Sequence, residues 1–283
     1  MSEIAISAAD VKKLRDMTGA GMMECKKALT ESSGDFEAAI DFLRKQGQKL
    51  SIKRADRDAK EGVVMALTSA NRNNGIIIRL SSETDFVAKN EGFVNLAKSL
   101  ADIALKNLPA NLEALLALPY ADGVTVSEKV AEQVGVIGEK IELAQYEKIE
   151  TAAGAGQVLP YIHSGYRAGV LVALNLEGPE LMEAGKDVAM QVAAMKPVAV
   201  TKDSVSAATI ERELEIYREQ TRAEGKAEAM VDQIANGRLN KFFKESTLLS
   251  QDFVKDGSKT VAQYLDGVKK GLTVTDFKHV MLG

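Results

Sequence analysis

The sequence predicts an α+β protein: an N-terminal three-helix domain, then a core of two related subdomains of antiparallel strands and helices, with a helical-hairpin insertion in the second. Three observations carry this. Apolar residues recur at helical spacing over residues 6–46 and again over 206–245. Two strand-like runs followed by a helix occur twice, about 94 residues apart: Gly75-Ile-Ile-Ile-Arg-Leu matches Gly169-Val-Leu-Val-Ala-Leu, and Gly92-Phe-Val matches Gly185-Lys-Asp-Val. Short turns join the strands of each pair, and such turns cannot join parallel strands. The expected division is residues 1–46, a linker at 47–61, a first core subdomain at 62–153, and a second at 154–283 that includes the hairpin 206–245.

Taken in order, Ser7 and Asp10 form a capping box with Asp in the acidic place, and Ile6 is set to staple onto Val11. Val11 and Leu14 give the first helix its inner face, and Thr18-Gly-Ala-Gly21 ends it. Met22, Cys25 and Leu29 line a second helix, and Phe36, Ala39, Ile40 and Leu43 a third that starts at Gly34 and Asp35. So small a core is marginal. Met22 and Met23 cannot both point inward, so one of them either packs or offers an adaptable surface to a protein partner. Residues 46–61 carry many charges and little apolar periodicity, and read as a linker open to helical structure.

Beyond it, Gly62–Ser69 and Ile76–Ser82 read as strands of a hairpin turned at Asn74 and Gly75, followed by a helix over Glu91–Lys106. Residues 107–126 look irregular at both ends, Val126–Val136 is a helix, and Glu139–Ile149 a strand facing inward at Ile141, Leu143 and Tyr146. In the second copy Gln157–His163 and Gly169–Leu176 are strands and Gly185–Met195 a helix. Ile210, Leu214, Tyr217 and Thr221 mark one helix stripe, Gly225 breaks it, and Met230, Ile234, Leu239 and Phe242 mark the next. The two arms make a protruding hairpin with a seam as narrow as a coiled coil. Thr260–Gln263 is a capping box and Leu272–Met281 a closing strand.

Charge and cysteine content narrow the function. With 36 basic and 40 acidic residues among 283, the net charge is −4, which gives no footprint for wrapping nucleic acid and favours a protein partner. One cysteine, Cys25, excludes an internal disulfide framework, the start MSEIAISAAD lacks a signal-peptide layout, and no apolar run reaches the roughly 18 residues of a membrane helix. A cytoplasmic protein without cofactor is expected.

The stretch SETDFVAKNEGF, Ser82–Phe93, lies where an apolar strand turns into a helix, with Thr84 as N-cap. A phenylalanine beside an aspartate there can wedge a ring into a partner and offer a carboxylate to a backbone donor or a cation. The plainer reading is that Phe86 folds back onto the core while Asp85 caps the helix. An enzyme is the rival: Glu83 and Asp85 are paired carboxylates, with His163 as base if the fold brings it near. Against it, the sequence has no glycine-rich phosphate loop, nucleophile elbow or paired metal-ligand spacing. A lone histidine reads first as a hydrogen-bonded structural residue, and so does His279.

TGAGMMECKKAL at Thr18–Leu29 and TDFVAKNEGF at Thr84–Phe93 together resemble bacterial elongation factor Ts, the guanine-nucleotide exchange factor of elongation factor Tu. Two motifs of ten or more residues at the right relative spacing make the likeness specific, and it continues through most of the chain. The resemblance implies that the three helices form a ubiquitin-associated-like domain packed on the partner's nucleotide-binding domain, and that the function is translation elongation. It implies that Thr84, Asp85, Phe86 and Val87 dislocate the Mg²⁺ held with GDP by elongation factor Tu, Phe86 as the wedge and Asp85 as its polar hold, with no covalent chemistry. His163 carries over as a partner contact beside Met22 and Met23. Only the first copy has this turn; the second has Glu177-Gly-Pro-Glu180. Many relatives continue into a further C-terminal helical module, and no contact from such a module is expected here.

Overall fold

The computed structural model describes residues 6–121 and 123–283, so the first five residues of the expected 1–46 domain lie outside the described residues. Three helices open the chain: α1 (Ala8–Thr18), α2 (Met22–Glu31) and α3 (Phe36–Lys53). Ser7 caps α1 by accepting the Asp10 N–H at 3.1 Å, and Asp35 caps α3 by accepting that of Ala38 at 2.8 Å. Gly19, at φ 72°, ends α1 in the left-handed conformation that glycine adopts without cost. Val11, Leu14, Cys25, Ala28, Leu29 and Ala39 are buried together, with Ile6, Phe36, Ile40 and Leu43 around them. Met22 departs from the expected inner face. Cys25 and Leu29 already fill that small core, and Met22, in the first turn, is 43% exposed.

Helix α3 runs on to Lys53, through the first part of the stretch read as linker. The cause is packing that periodicity does not reveal. Gly47 is buried where α3 crosses α7 (Val126–Ile137), and a Cβ there would lie 2.9 Å from the Ala131 carbonyl oxygen; the Cα of Gly47 in turn crowds Gly135. Two glycines let the helix backbones approach directly.

The core consists of two three-stranded antiparallel sheets with the same connectivity. In the first, β1 (Glu61–Thr68) and β2 (Asn74–Ser82) form a hairpin, followed by α4 (Asp85–Ala88) and α5 (Glu91–Asn107). Then come α6 (Leu112–Leu116), the short strands β3 (Pro119–Ala121) and β4 (Val124–Thr125), and α7, so residues 107–126 hold more order than expected. Strand β5 (Ile141–Glu150) then pairs with β2, giving the order β1-β2-β5. In the second, β6 (Gln157–His163) and β7 (Ala168–Leu174) form the hairpin, and α8 (Met182–Met195) follows. After α9 (Ala207–Ala223), α10 (Glu228–Ser246), β8 (Asp252–Phe253), β9 (Asp256–Thr260) and α11 (Val261–Val268), strand β10 (Val274–Met281) pairs with β7. The expected capping box at Thr260 and Gln263 opens α11.

The sheets stack face to face between their helices. Val64, Ala66, Ile77 and Ile149 of the first meet Val158, Leu171, Ala173, Val280 and Leu282 of the second. The opposite faces pack on helices: Ile76, Ile78 and Leu80 with Phe93, Leu96 and Leu100, and Val170, Val172 and Leu174 with Val188 and Val192. Burial on both sides explains why β2 and β7 read as continuous apolar runs although antiparallel strands commonly alternate.

One turn is corrected. Asn74 and Gly75 do not form a two-residue hairpin loop: Gly75 pairs with Thr68, and the chain reverses through Ser69–Asn74, helped by Arg72 at φ 57°. Gly75 serves packing instead. A Cβ on it would lie 2.6 Å from Val158 and 2.9 Å from Leu171, both in the second half; one on Gly169 would lie 2.8 Å from Val64 in the first.

Helices α9 and α10 form the expected hairpin, turned at Gly225 with φ 74°. Its seam on α10 is Val231, Ala235 and Leu239, spaced by four, with Thr221 buried opposite. Met230 is not part of it: one position off that stripe, it is 49% exposed, while Ile234 and Phe242 are half-buried. Arg218–Asp232 at 2.8 Å, Arg222–Glu228 at 2.9 Å and Arg238–Glu224 at 2.7 Å bind the arms. Among the described residues no helix is long and apolar enough to cross a membrane.

Candidate functional site

Strand β2 ends at Ser82, and the chain turns at once into the single-turn helix α4. Thr84, extended at φ −121°, caps it: its side-chain oxygen faces the Val87 N–H at 3.5 Å, and the Ser82 hydroxyl donates to the Thr84 carbonyl at 3.0 Å. Asn90 then caps α5 by accepting the Gly92 N–H at 2.9 Å, so two helices stand where one was expected. Of the four residues Thr84–Val87, Val87 leans onto the first-half core, whereas Phe86 points away and is 83% exposed. The packing reading of Phe86 is thereby removed.

The turn is held from behind by two carboxylates. Glu139, in the connection from α7 to β5, accepts the Thr84 backbone N–H at 3.0 Å on one oxygen and the Thr84 hydroxyl at 2.8 Å on the other. Glu83 accepts the Lys140 N–H at 2.6 Å and the Arg54 guanidinium at 2.7 Å, with Arg57 at 3.9 Å. The bond from the Lys140 backbone, aided by Arg54, holds the Glu83 carboxyl below its ordinary range. The Lys140 ammonium donates to the carbonyls of Ala55 and Arg57 at 2.7 and 3.1 Å. Three segments distant in sequence thus meet behind the ring.

Asp85 is not the cap. Its exposed carboxylate pairs with Lys89, one turn on, at 2.6 Å, and that hydrogen bond and charge hold it below the usual carboxylate range. A carboxylate tied to a flexible lysine on the surface can change partners at little cost.

Met22 and Met23 stand exposed at the start of α2, at 43% and 74%. His163 ends β6, exposed, with its Nδ1 3.1 Å from the Tyr161 hydroxyl. Its segment lies at the same end of the core as the turn: Arg167 pairs with Glu61 at 3.0 Å, and Glu61 lies opposite Ser82 in the sheet. Among the described residues no hydrogen bond joins His163 to Glu83 or Asp85. His279 is half-buried in β10, where burial lowers its pKa. A hollow of about 440 Å³ lies elsewhere, between α3 and α7, lined by Thr18, Leu43, Leu50, Glu132 and Val136 among others.

Sequence reasoning missed Glu139, Lys140 and Arg54. They act through contacts between loops, which leave no periodic trace; the acidic-basic pair at 139–140 just before a strand is the only local signal.

The chain thus joins a duplicated α+β core to an exposed aromatic on a braced turn. The sequence model of the family described as elongation factor TS matches residues 83–283. The chain is 54% identical over 278 residues to elongation factor Ts of Cytophaga hutchinsonii, covering 98% of this chain and 99% of that one. It is 52% identical over 281 residues to that of Amoebophilus asiaticus, covering 99% and 100%. With that of Porphyromonas gingivalis it shares 46% identity over 280 residues, covering 99% of each. The chain belongs to the elongation factor Ts family, and its role is that of a translation elongation factor.

Proposed function

We propose that the chain binds elongation factor Tu carrying GDP, displaces the Mg²⁺ held there, and promotes release of GDP and its replacement by GTP. The observation that carries this is Phe86, 83% exposed on a turn fastened through Glu83 and Glu139. A nucleotide bound with Mg²⁺ is held by phosphate contacts and by the ion that neutralises the phosphate oxygens, so dislodging the ion removes much of the affinity. In this reading Phe86 enters between elements of the partner near the ion and Asp85 leaves Lys89 for a polar contact that keeps the ring in place. Thr84 and Val87 shape the turn.

Met22 and Met23 of the N-terminal domain, with His163 at the same end of the core as the turn, supply binding energy that offsets distortion of the partner. A ligand shifts an equilibrium only by its differential affinity for the two states. Linkage makes the effect reciprocal, so nucleotide weakens the complex as the complex weakens nucleotide. The protein works in the cytoplasm as an exchange factor without covalent chemistry, cofactor or nucleic-acid partner, and its division at 1–46, 47–61, 62–153 and 154–283 belongs to the same reading.

Stopped-flow release of a fluorescent GDP analogue from elongation factor Tu tests it. The wild-type chain accelerates release and Phe86→Ala loses roughly ten- to a hundredfold of that acceleration, the scale on which misplaced contacts act. No acceleration at any concentration of the wild type rejects the reading.

A further inference from the structure

Thr84 is the hinge between the sheet and the exposed ring, and both of its polar donors go to one side chain. The two oxygens of Glu139 take the backbone N–H at 3.0 Å and the hydroxyl at 2.8 Å. Next to it, the Lys140 N–H is given to Glu83 at 2.6 Å. The segment 139–140 and the segment 83–84 therefore exchange three hydrogen bonds across 55 to 57 positions of chain, two of them ending on carboxylate oxygens of Glu139 and the third on that of Glu83. Bonds to charged acceptors are the stronger ones, and a doubly engaged carboxylate fixes direction as well as distance.

Among the described residues no other side chain accepts a hydrogen bond from Thr84, while the Ser82 hydroxyl donates to its carbonyl at 3.0 Å. Within α4 the Thr84 hydroxyl reaches the Val87 N–H only at 3.5 Å, and the helix is a single turn, too short to hold its own shape. Remove the Glu139 carboxylate and the Thr84 N–H and hydroxyl lose their fixed acceptors, which frees the peptide that aims Phe86.

We infer that Glu139 is a positioning residue for exchange: it touches neither nucleotide nor ion, and sets the direction of the Phe86 ring by clamping Thr84. This rests on the reading of Phe86 as the wedge, and the test separates the two.

Four chains are compared in the GDP-release assay: wild type, Glu139→Ala, Phe86→Ala and the double variant, with thermal unfolding of each. Glu139→Ala is expected to lower the maximal release rate about tenfold in the wild-type background and to have almost no effect in the Phe86→Ala background, because a clamp has nothing to aim once the ring is gone. Glu139→Gln, which keeps one acceptor, falls between. An equal fold-loss from Glu139→Ala in both backgrounds overturns the inference, as does a full rate with Glu139→Ala.

Amide hydrogen exchange of residues 83–90 in the free chain gives a second, activity-independent readout. Faster exchange at Thr84 and Ala88 in Glu139→Ala supports the clamp even if the wild-type chain releases no GDP. Unchanged protection there overturns it whatever the release assay gives.

Discussion

Phe86 contributes little to the fold that carries it. At 83% exposure the ring removes little apolar surface from water, so Phe86→Ala is expected to change unfolding free energy by no more than about 0.5 kcal/mol, measured by urea titration. Glu83, three positions earlier, behaves oppositely. Its folded pKa lies below the ordinary carboxylate value of about 4.3, so its contribution is present above that value and lost as pH falls through the folded pKa. Glu83→Gln is therefore less stable than wild type near neutrality, and the gap closes as unfolding is followed from pH 7 down to about pH 3. A gap that stays constant with pH rejects this. At this scale the position of the turn was legible, because Thr84 is a cap-forming residue between an apolar strand and a helical stripe. The direction of Phe86 was not, since a lone phenylalanine reads the same pointing in or out.

The elements were legible wherever one face is buried against one neighbour. Phe93, Leu96, Ala97, Leu100 and Ala101 mark α5 in sequence because they all meet the same sheet. Legibility failed where backbone meets backbone. Residues 46–61 read as linker because they carry many charges and little apolar periodicity, and the helix there is held instead at Gly47, a residue that ordinarily weakens a helix by about 1 kcal/mol against alanine. Here a methyl group would press on the Ala131 carbonyl oxygen from 2.9 Å. Gly47→Ala is thus expected to cost about 1–3 kcal/mol despite its better helix propensity, a loss visible in thermal unfolding; a stabilised variant would show that the helices separate without cost. Strand β5 was legible despite a break in its alternation, and Ile141, Leu143 and Tyr146 face inward as expected. Ile141 and Leu143 share a face with Tyr146 only because the register slips between Arg79 and Leu80, so an alternating pattern changes phase midway. On α10 the stripe expected at Met230 and Ile234 lies one position on, at Val231 and Ala235, because smaller apolar residues beside the larger ones fill the narrow seam.

For the molecule as a whole the sheet-to-sheet interface decides whether the two halves unfold together. Leu171 is fully buried there, among residues of both halves. Leu171→Ala is expected to cost about 2–5 kcal/mol and to lower the unfolding midpoint of both halves alike in calorimetry; two separated transitions would show that they stand alone. The duplication was legible from the recurrence of Gly75 and Gly169 with the apolar runs behind them. What lay beyond reading was which surfaces those glycines face, because pairing between distant segments has no local signature. The clamp of Thr84 by Glu139 escaped for the same reason.

The reciprocal glycines bear on how such a chain can change over generations. The hollow at Gly75 is occupied by Val158 and Leu171 of the second half, and that at Gly169 by Val64 of the first. A side chain acquired at either site has to be answered by a smaller one in the opposite copy. The two copies can therefore diverge freely on their outer surfaces, as the Thr84–Val87 turn and its counterpart at Glu177–Glu180 have done, while their inner faces are bound to mutate in step.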